Sequence, residues 1–153
     1  DDEGVEAKKK VLINNGVIES FIADLKYAHK LGISPGNAGR SYNTLPSPSF
    51  SNIEIQEGDI SKSDMLKEIN QGIIVDQFIG LGQSNTLTGD FSANCDLAYV
   101  IEKGEITGRV KDCMITDNLF SLLQSDVLLS TEKEAIGSIT APYLLLPSVN
   151  FTM

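Results

Sequence analysis

A chain of 153 residues with 41% hydrophobic composition can close a core without disulfides or metals, so one domain spanning residues 1–153 is expected. Its 21 acidic against 12 basic residues leave a formal charge of -9, which repels phosphate backbones and removes nucleic acid from the expected partners. Two cysteines without CxxC spacing exclude a disulfide framework and a zinc or redox motif of that kind. No apolar run approaches the roughly 18 residues of a membrane span and no basic-then-apolar leader is present, so a cytoplasmic protein without membrane contact is expected. The chain opens at Asp1 without an initiator methionine and enters a strand-like run at once, from which a longer parent chain is expected.

In chain order, Lys8-Lys9-Lys10 reads as a solvated strand end. Lys9 to Ile13 and Val17 to Leu25 are β-branched, apolar runs joined by Asn14-Asn15-Gly16, a spacing that predicts a type I′ hairpin. Both faces of the second run carry apolar groups, which predicts an interior strand. Leu25 to Leu31 reads as a short helix stopped by Gly32. The loop from Ile33 to Ser49, rich in Gly, Pro, Ser and Asn, is longer than structureless connections usually run and is expected to cover a partner or serve a function. Asn52 to Gln56 alternates as a half-buried strand. Ser61 to Gln71 has the form of a capped helix, with Ser61 as N-cap, Asp64 three positions on, Met65, Leu66 and Ile69 on one face, and Gly72 as its stop. Strands are predicted at Ile73 to Ile79 and at Phe91 to Glu102, the latter turning at Lys103-Gly104 into Glu105 to Lys111. Thr116 to Gln124 is expected as a helix with Leu119, Phe120 and Leu123 inward. Val127 to Leu129 and Tyr143 to Leu146 close the set, giving an α+β fold with more sheet than helix.

Few residues offer chemistry. The single histidine, His29, lies in the first predicted helix without a second ligand at helical spacing and reads as a surface or satisfied side chain. Asp1-Asp2-Glu3, Glu54, Glu57, Asp59, Glu132 and Glu134 read as solvated loops and strand ends. Cys95 and Cys113 read as buried small hydrophobes. Gly80-Leu81-Gly82, followed by Gln83-Ser84-Asn85, lacks the third glycine and the helix of a phosphate loop. The stretch NTLTGDFS, Asn85 to Ser92, is unusual in concentrating small hydroxyl and amide groups between two strands. It either bonds to itself, with Asp90 and the threonines satisfying their own backbone, or presents those groups to a ligand.

Taken together, VLINNGVIESFIADLKYAHKLG, GNAGR, IEIQEGD, GIIVDQFIG, NTLTGDFS, AYVIEKGEITGRVKDCMITDNL and IGSITAPYLLLPSVNFT, in that order over practically the whole chain, resemble the C-terminal domain of the TldD/PmbA family, also called modulators of DNA gyrase. The resemblance implies a sheet-rich α+β domain with a strongly bent or barrel-like antiparallel or mixed sheet and two or three short helices. It further implies a cytoplasmic peptidase system in which two homologous subunits pair. One such subunit carries zinc on an HExxxH helix and a later cysteine; the other is metal-free.

In the metal-bearing branch the cysteine falls in the stretch matching Glu132 to Ile139, and this sequence has none there. The resemblance is therefore to the PmbA-like, metal-free branch, with no cofactor in this chain and zinc in a partner subunit. The implied partners are a homologous TldD-like subunit, or a second copy, and unfolded peptide that is degraded or matured. A peptide chamber that ignores side chains grips the main chain, so Asn85, Thr86, Thr88, Gly89 and Ser92 are the candidate peptide-binding residues. No catalytic or metal-binding residue is assigned. Two other readings remain open: a non-enzymatic binding or scaffold module, and part of an active zinc metallopeptidase whose HExxxH helix lies upstream.

Overall fold

A computed structural model describes residues 1–81 and 84–152. Gly82 and Gln83, on which the phosphate-loop reading partly falls, lie outside the described residues. Among the described residues the fold is sheet-rich α+β, with twelve strands and three helices. No helix among them is long and apolar enough to cross a membrane. The chain divides into two compact units, Asp1–Glu54 with Gly137–Ile139, and Ile55–Ile136 with Thr140 onward.

In the first unit, β1 (Ile13–Asn14) and β2 (Val17–Ile18) form the predicted hairpin, with Ile13 facing Ile18 and Asn14 facing Val17. Asn15 at φ 48° and Gly16 at φ 78° give both central residues the positive φ that a type I′ turn needs. The ladder is only two residues long, and Ile13, Val17 and Ile18 are exposed, so the interior strand expected after the turn is not found. Helix α1 (Leu25–Leu31) has the predicted limits. Its first turn is closed by two carboxylates, Asp24 accepting from the Tyr27 amide at 2.7 Å and Glu3 from the Leu25 amide at 2.7 Å. Its last turn ends at Gly32, φ 66°.

The acidic N-terminal run is thus structural rather than merely solvated. Asp1 also accepts from the Ala38 amide and Asp2 from the Arg40 amide. These bonds hold the start of β3 (Ala38–Gly39), which pairs with β4 (Ser47–Pro48) inside the loop that the sequence left without regular structure. Cations are dispersed rather than clustered: Lys10 donates to the Ser34 and Pro35 carbonyls, while Lys8 and Lys9 pair with Glu6 and Glu54. The strand β5 (Ile53–Glu54) enters through Ile53, whose amide donates to the Ser138 carbonyl at 2.8 Å.

The second unit is organised by β7 (Asp90–Glu102), thirteen residues long. One side of it is covered by β6 (Gln71–Ile79), with irregularities between Val75 and Phe78. The other side is shared: β8 (Glu105–Val110) pairs with the C-terminal half of β7 and β9 (Cys113–Asn118) with the N-terminal half. The turn at Lys103 and Gly104 has positive φ at both residues, as the sequence predicts for a tight hairpin. Outside β9 lies β12 (Phe151–Thr152), and the sheet path runs β12-β9-β7-β6. The path ends at β6 and β12 without closing, so the sheet-rich α+β reading holds while no closed barrel forms among the described residues. The sheets are not strongly curled either. The core comprises Cys95, Ala98, Val110, Cys113 and Ile115, with Ile73, Val75, Phe91, Val100 and Val149 packed around them.

Helix α2 (Lys62–Lys67) starts where predicted, Ser61 Oγ accepting from the Asp64 amide at 3.1 Å. It ends earlier than predicted, and Gly72 lies within β6 rather than at the helix stop. Glu132 on β10 (Leu128–Ile136) accepts from the Lys62 amide at 2.8 Å, a second acceptor for the donors that a helix start leaves unpaired. Glu134 accepts from the Tyr143 hydroxyl on β11 (Ile139–Leu145), over whose ring Lys62 lies, and Glu57 pairs with Lys133 at 2.6 Å. These three carboxylates are exposed, as expected, but each has a partner, and Glu132 and Glu134 lie within β10 rather than at a strand end. The helix expected over Thr116 to Gln124 shrinks to α3 (Leu119–Leu122), because Thr116 and Asp117 belong to β9. Its inward residue is Leu122, while Leu119, Phe120 and Leu123 are exposed.

At Gly16 the positive φ has a direct consequence. Gly16→Val is expected to lower stability by about 1 kcal/mol or more, since a β-branched residue fits that region poorly. Thermal unfolding checks this, and an unchanged midpoint would contradict the turn.

Candidate functional site

Asn85 to Ser92 folds as a compact turn leading into β7. Asn85 Oδ1 accepts from the Leu87 and Thr88 amides at 3.0 and 3.3 Å, an Asx turn, and the Asn85 amide donates to the Asp90 carbonyl at 2.8 Å. Thr88 Oγ1 donates to Asp90 Oδ2 at 2.7 Å. From β9, Asn118 Nδ2 donates to the Thr88 carbonyl and to Asp90 Oδ1, both at 2.8 Å. The hydrogen bonds from Asn118 and from Thr88 hold the Asp90 carboxyl below the usual aspartate range.

The five candidate residues therefore occupy different settings. The side chains of Asn85 and Thr88 are engaged by the turn itself. Gly89, at φ +81°, permits a close approach made within the chain: a Cβ there would lie 2.6 Å from the Phe120 ring. Ser92 faces Thr116 across the β7–β9 ladder, their hydroxyls 3.4 Å apart on the exposed face. Thr86 lies in the turn near Leu87, which is 90% exposed. The same exposed strip continues through Asp90 opposite Asn118 and Asn94 opposite Met114.

The opposite face of the same ladder holds an arrangement that spacing alone does not show. Cys95 and Cys113 are direct cross-strand partners, both buried and both free thiols. Burial pushes the Cys95 thiol up to about 12, with the hydrogen bond and charge of Cys113 adding to the effect. They contribute to the lining of a cavity of about 520 Å³ that also includes Asn94, Asp96, Arg109 and Lys111. The expectation of two buried small side chains holds, and the structure adds that they face one another.

A bound zinc ion would need three or four convergent N, S or O donors. Among the described residues no group of three or more His, Cys, Asp and Glu side chains is placed to hold a metal. The cysteine pair therefore lacks a third protein ligand of that kind, and Glu132 and Glu134 are spent on Lys62 and Tyr143. Among the described residues these side chains do not fit a zinc site, and no chemical step is assigned through one.

Two outcomes follow from the turn. Thr88→Ala is expected to cost about 0.5–1.5 kcal/mol, the net value of one hydrogen bond, and a Tm equal to wild type would contradict the bond to Asp90. The folded pKa of Asp90 lies below its ordinary value of 3.8, so its contribution is complete above that pH and is lost as pH falls through the lower folded value. The Asn118 side-chain amide resonance should accordingly shift below pH 3.8 and stay constant above it.

Comparison with known proteins places this geometry. The family model described as the PmbA/TldA metallopeptidase C-terminal domain matches residues 1–153. A metalloprotease TldD homolog of Haemophilus influenzae is 32% identical over 136 residues, covering 88% of this chain and 28% of that protein. Metalloprotease PmbA of Escherichia coli O157:H7 is 29% identical over 150 residues, covering 97% of this chain and 31% of that protein. The crystal structure of TldE from Thermococcus kodakarensis superposes with a TM-score of 0.89 at 30% identity, covering all of this chain and 36% of that one. The chain thus spans about a third of the length of the relatives it matches. It belongs to the PmbA/TldA metallopeptidase C-terminal domain family.

Proposed function

We propose that residues 1–153 act as the C-terminal domain of a PmbA-like, metal-free subunit that pairs with a TldD-like subunit in a cytoplasmic peptidase acting on unfolded peptides. The observation that carries this reading is the stretch Glu132 to Ile139, in a chain that is similar to TldD, PmbA and TldE relatives alike. That stretch holds no cysteine, and its carboxylates are committed to Lys62 and Tyr143. In this role the domain contributes shape and hydrogen-bonding groups, while zinc in the partner supplies the hydrolytic chemistry.

The peptide-facing groups proposed are those along the turn and the exposed strip of β7, Asn85, Thr86, Thr88, Gly89 and Ser92. Asn85, Thr88 and Gly89 set the shape of the turn. Thr86 and Ser92 supply side-chain hydroxyls to a passing main chain. Edge strand β6 offers a second means of holding extended peptide, since it ends the sheet path and leaves main-chain groups for strand addition.

Reconstitution tests the proposal. The full-length parent protein is expected to be inactive toward unfolded peptide when supplied with zinc alone, and active once the TldD-like subunit of the same organism is added. Cleavage by the parent protein alone, with stoichiometric zinc retained, would overturn the metal-free assignment. Among the described residues, Thr86→Ala/Ser92→Ala gives up within the chain only the long 3.4 Å contact between Ser92 and Thr116. The double variant is expected to lower Tm slightly and to lower turnover by the complex about fivefold or more, at about 0.5–1.5 kcal/mol per hydrogen bond lost to the peptide. A fall in Tm with unchanged turnover per folded molecule would remove these residues from the peptide path.

A further inference from the structure

Apart from any peptidase role, the core of the second unit holds a pair of thiols. Cys95 on β7 and Cys113 on β9 are register partners, so their side chains leave the same face of the sheet side by side. The Leu119 amide donates to the Gly89 carbonyl at 2.8 Å, and hydrogen-bonded and non-hydrogen-bonded pairs alternate from there. This places Cys95 and Cys113 at a hydrogen-bonded pair, where Cα atoms stand about 5.5 Å apart. That separation falls within the roughly 4.4–6.8 Å found across disulfides. The Cβ atoms at such a pair lie slightly farther apart than a relaxed disulfide prefers, which favours a bond that is readily reduced.

Access comes from the cavity, which both cysteines line. Cys95 keeps 7% of its surface exposed against 1% for Cys113, making it the first to meet a reagent. Arg109 and Lys111 stand at the cavity with Asp96 and Asp112, so its wall carries both signs of charge. Arg109 Nη2 also donates to the Asp96 carbonyl at 3.4 Å. Asp112, at φ 55°, is a non-glycine residue in the left-handed region, at the break between β8 and β9.

We infer that Cys95 and Cys113 form a reversible dithiol–disulfide couple, closed by a low-molecular-weight disulfide of the glutathione class, which carries both carboxylate and ammonium groups, entering this cavity. Burial keeps the Cys95 thiol protonated near neutral pH, so the step quickens as pH rises. Hydroxide at the cavity takes its proton, the thiolate attacks one sulfur of the reagent, a mixed disulfide forms and one reagent thiolate leaves. The Cys113 thiolate then attacks the Cys95 sulfur, the Cys95–Cys113 bond forms, and the second reagent thiol leaves. Two protein thiols are oxidised, one disulfide is reduced to two thiols, and the two protons pass to those thiols.

The test uses the native full-length protein and oxidised glutathione, with acid quenching, alkylation and tryptic mapping. Lys103, Arg109 and Lys111 lie between the two cysteines, so trypsin releases them on separate peptides and a disulfide joins the two. The expected product is the Cys95 peptide joined to the Cys113 peptide, lost on treatment with dithiothreitol. Cys113→Ser is expected to stop at the glutathione adduct on Cys95. The wild-type linkage is read independently should that variant fail to fold. The inference is overturned if both thiols remain alkylatable in the native protein. It is equally overturned if glutathione stays on Cys95 while Cys113 remains free, or if the linked peptide forms only after unfolding in urea.

Discussion

The second unit depends on one constraint, the length of β7. A strand of thirteen residues exposes more backbone than a single short neighbour can satisfy, and β8 and β9 divide its open side between them. The register along that side is set by an inserted residue. Glu102 faces Glu105 and Ile101 faces Ile106, but Val100 faces Gly108, so Thr107 is the extra residue of a bulge. Every pair beyond it is displaced by one position. Without the bulge the register counted from the turn would set Cys95 against Asp112; with it, Cys95 meets Cys113. The meeting of the two thiols follows from that single step.

A second theme is the use of carboxylates as acceptors for backbone amides. Asp24 and Glu3 close the start of α1, Asp2 holds the Arg40 amide, and Glu132 reaches the first turn of α2. Asp117 accepts from the Asn118 and Asn150 amides and from Asn150 Nδ2, which anchors the approach to β12. The backbone bonds from Asn150 and Asn118 hold its carboxyl below the usual aspartate range. These five of the 21 acidic side chains thus serve as acceptors for backbone amides at helix starts and connections.

The two faces of the β7–β9 ladder divide the functional questions. The exposed face carries Ser92 with Thr116 and Asp90 with Asn118, the latter pair joined by a side-chain hydrogen bond. The buried face carries Cys95 and Cys113 beside a cavity of mixed charge. Strand alternation alone separates them, since successive side chains leave a strand on opposite sides.

Local chemistry determined by itself the features that depend on a few adjacent residues. Asn15-Gly16 and Lys103-Gly104 formed the turns their positive φ allows, Asp24 and Gly32 bound α1, and Ser61 opened α2. The collinear succession of TGDFS, IEKGEIT and VKD likewise identified the family from sequence. Features that depend on distant partners were not legible. The apolar run from Thr116 to Gln124 suits a helix, yet Thr116 and Asp117 pair with Ser92 and Phe91, and only Leu119–Leu122 is left to coil. Gly72 suits a helix stop, but pairing with Ile101 draws it into β6. Glu132 is exposed as the sequence suggests, but its bond to the Lys62 amide, seventy residues away, depends on where α2 is placed. The bulge at Thr107 leaves no clear mark in composition, so the meeting of Cys95 with Cys113 was decided only by tertiary pairing, in which register is set by the whole ladder rather than by the turn that begins it.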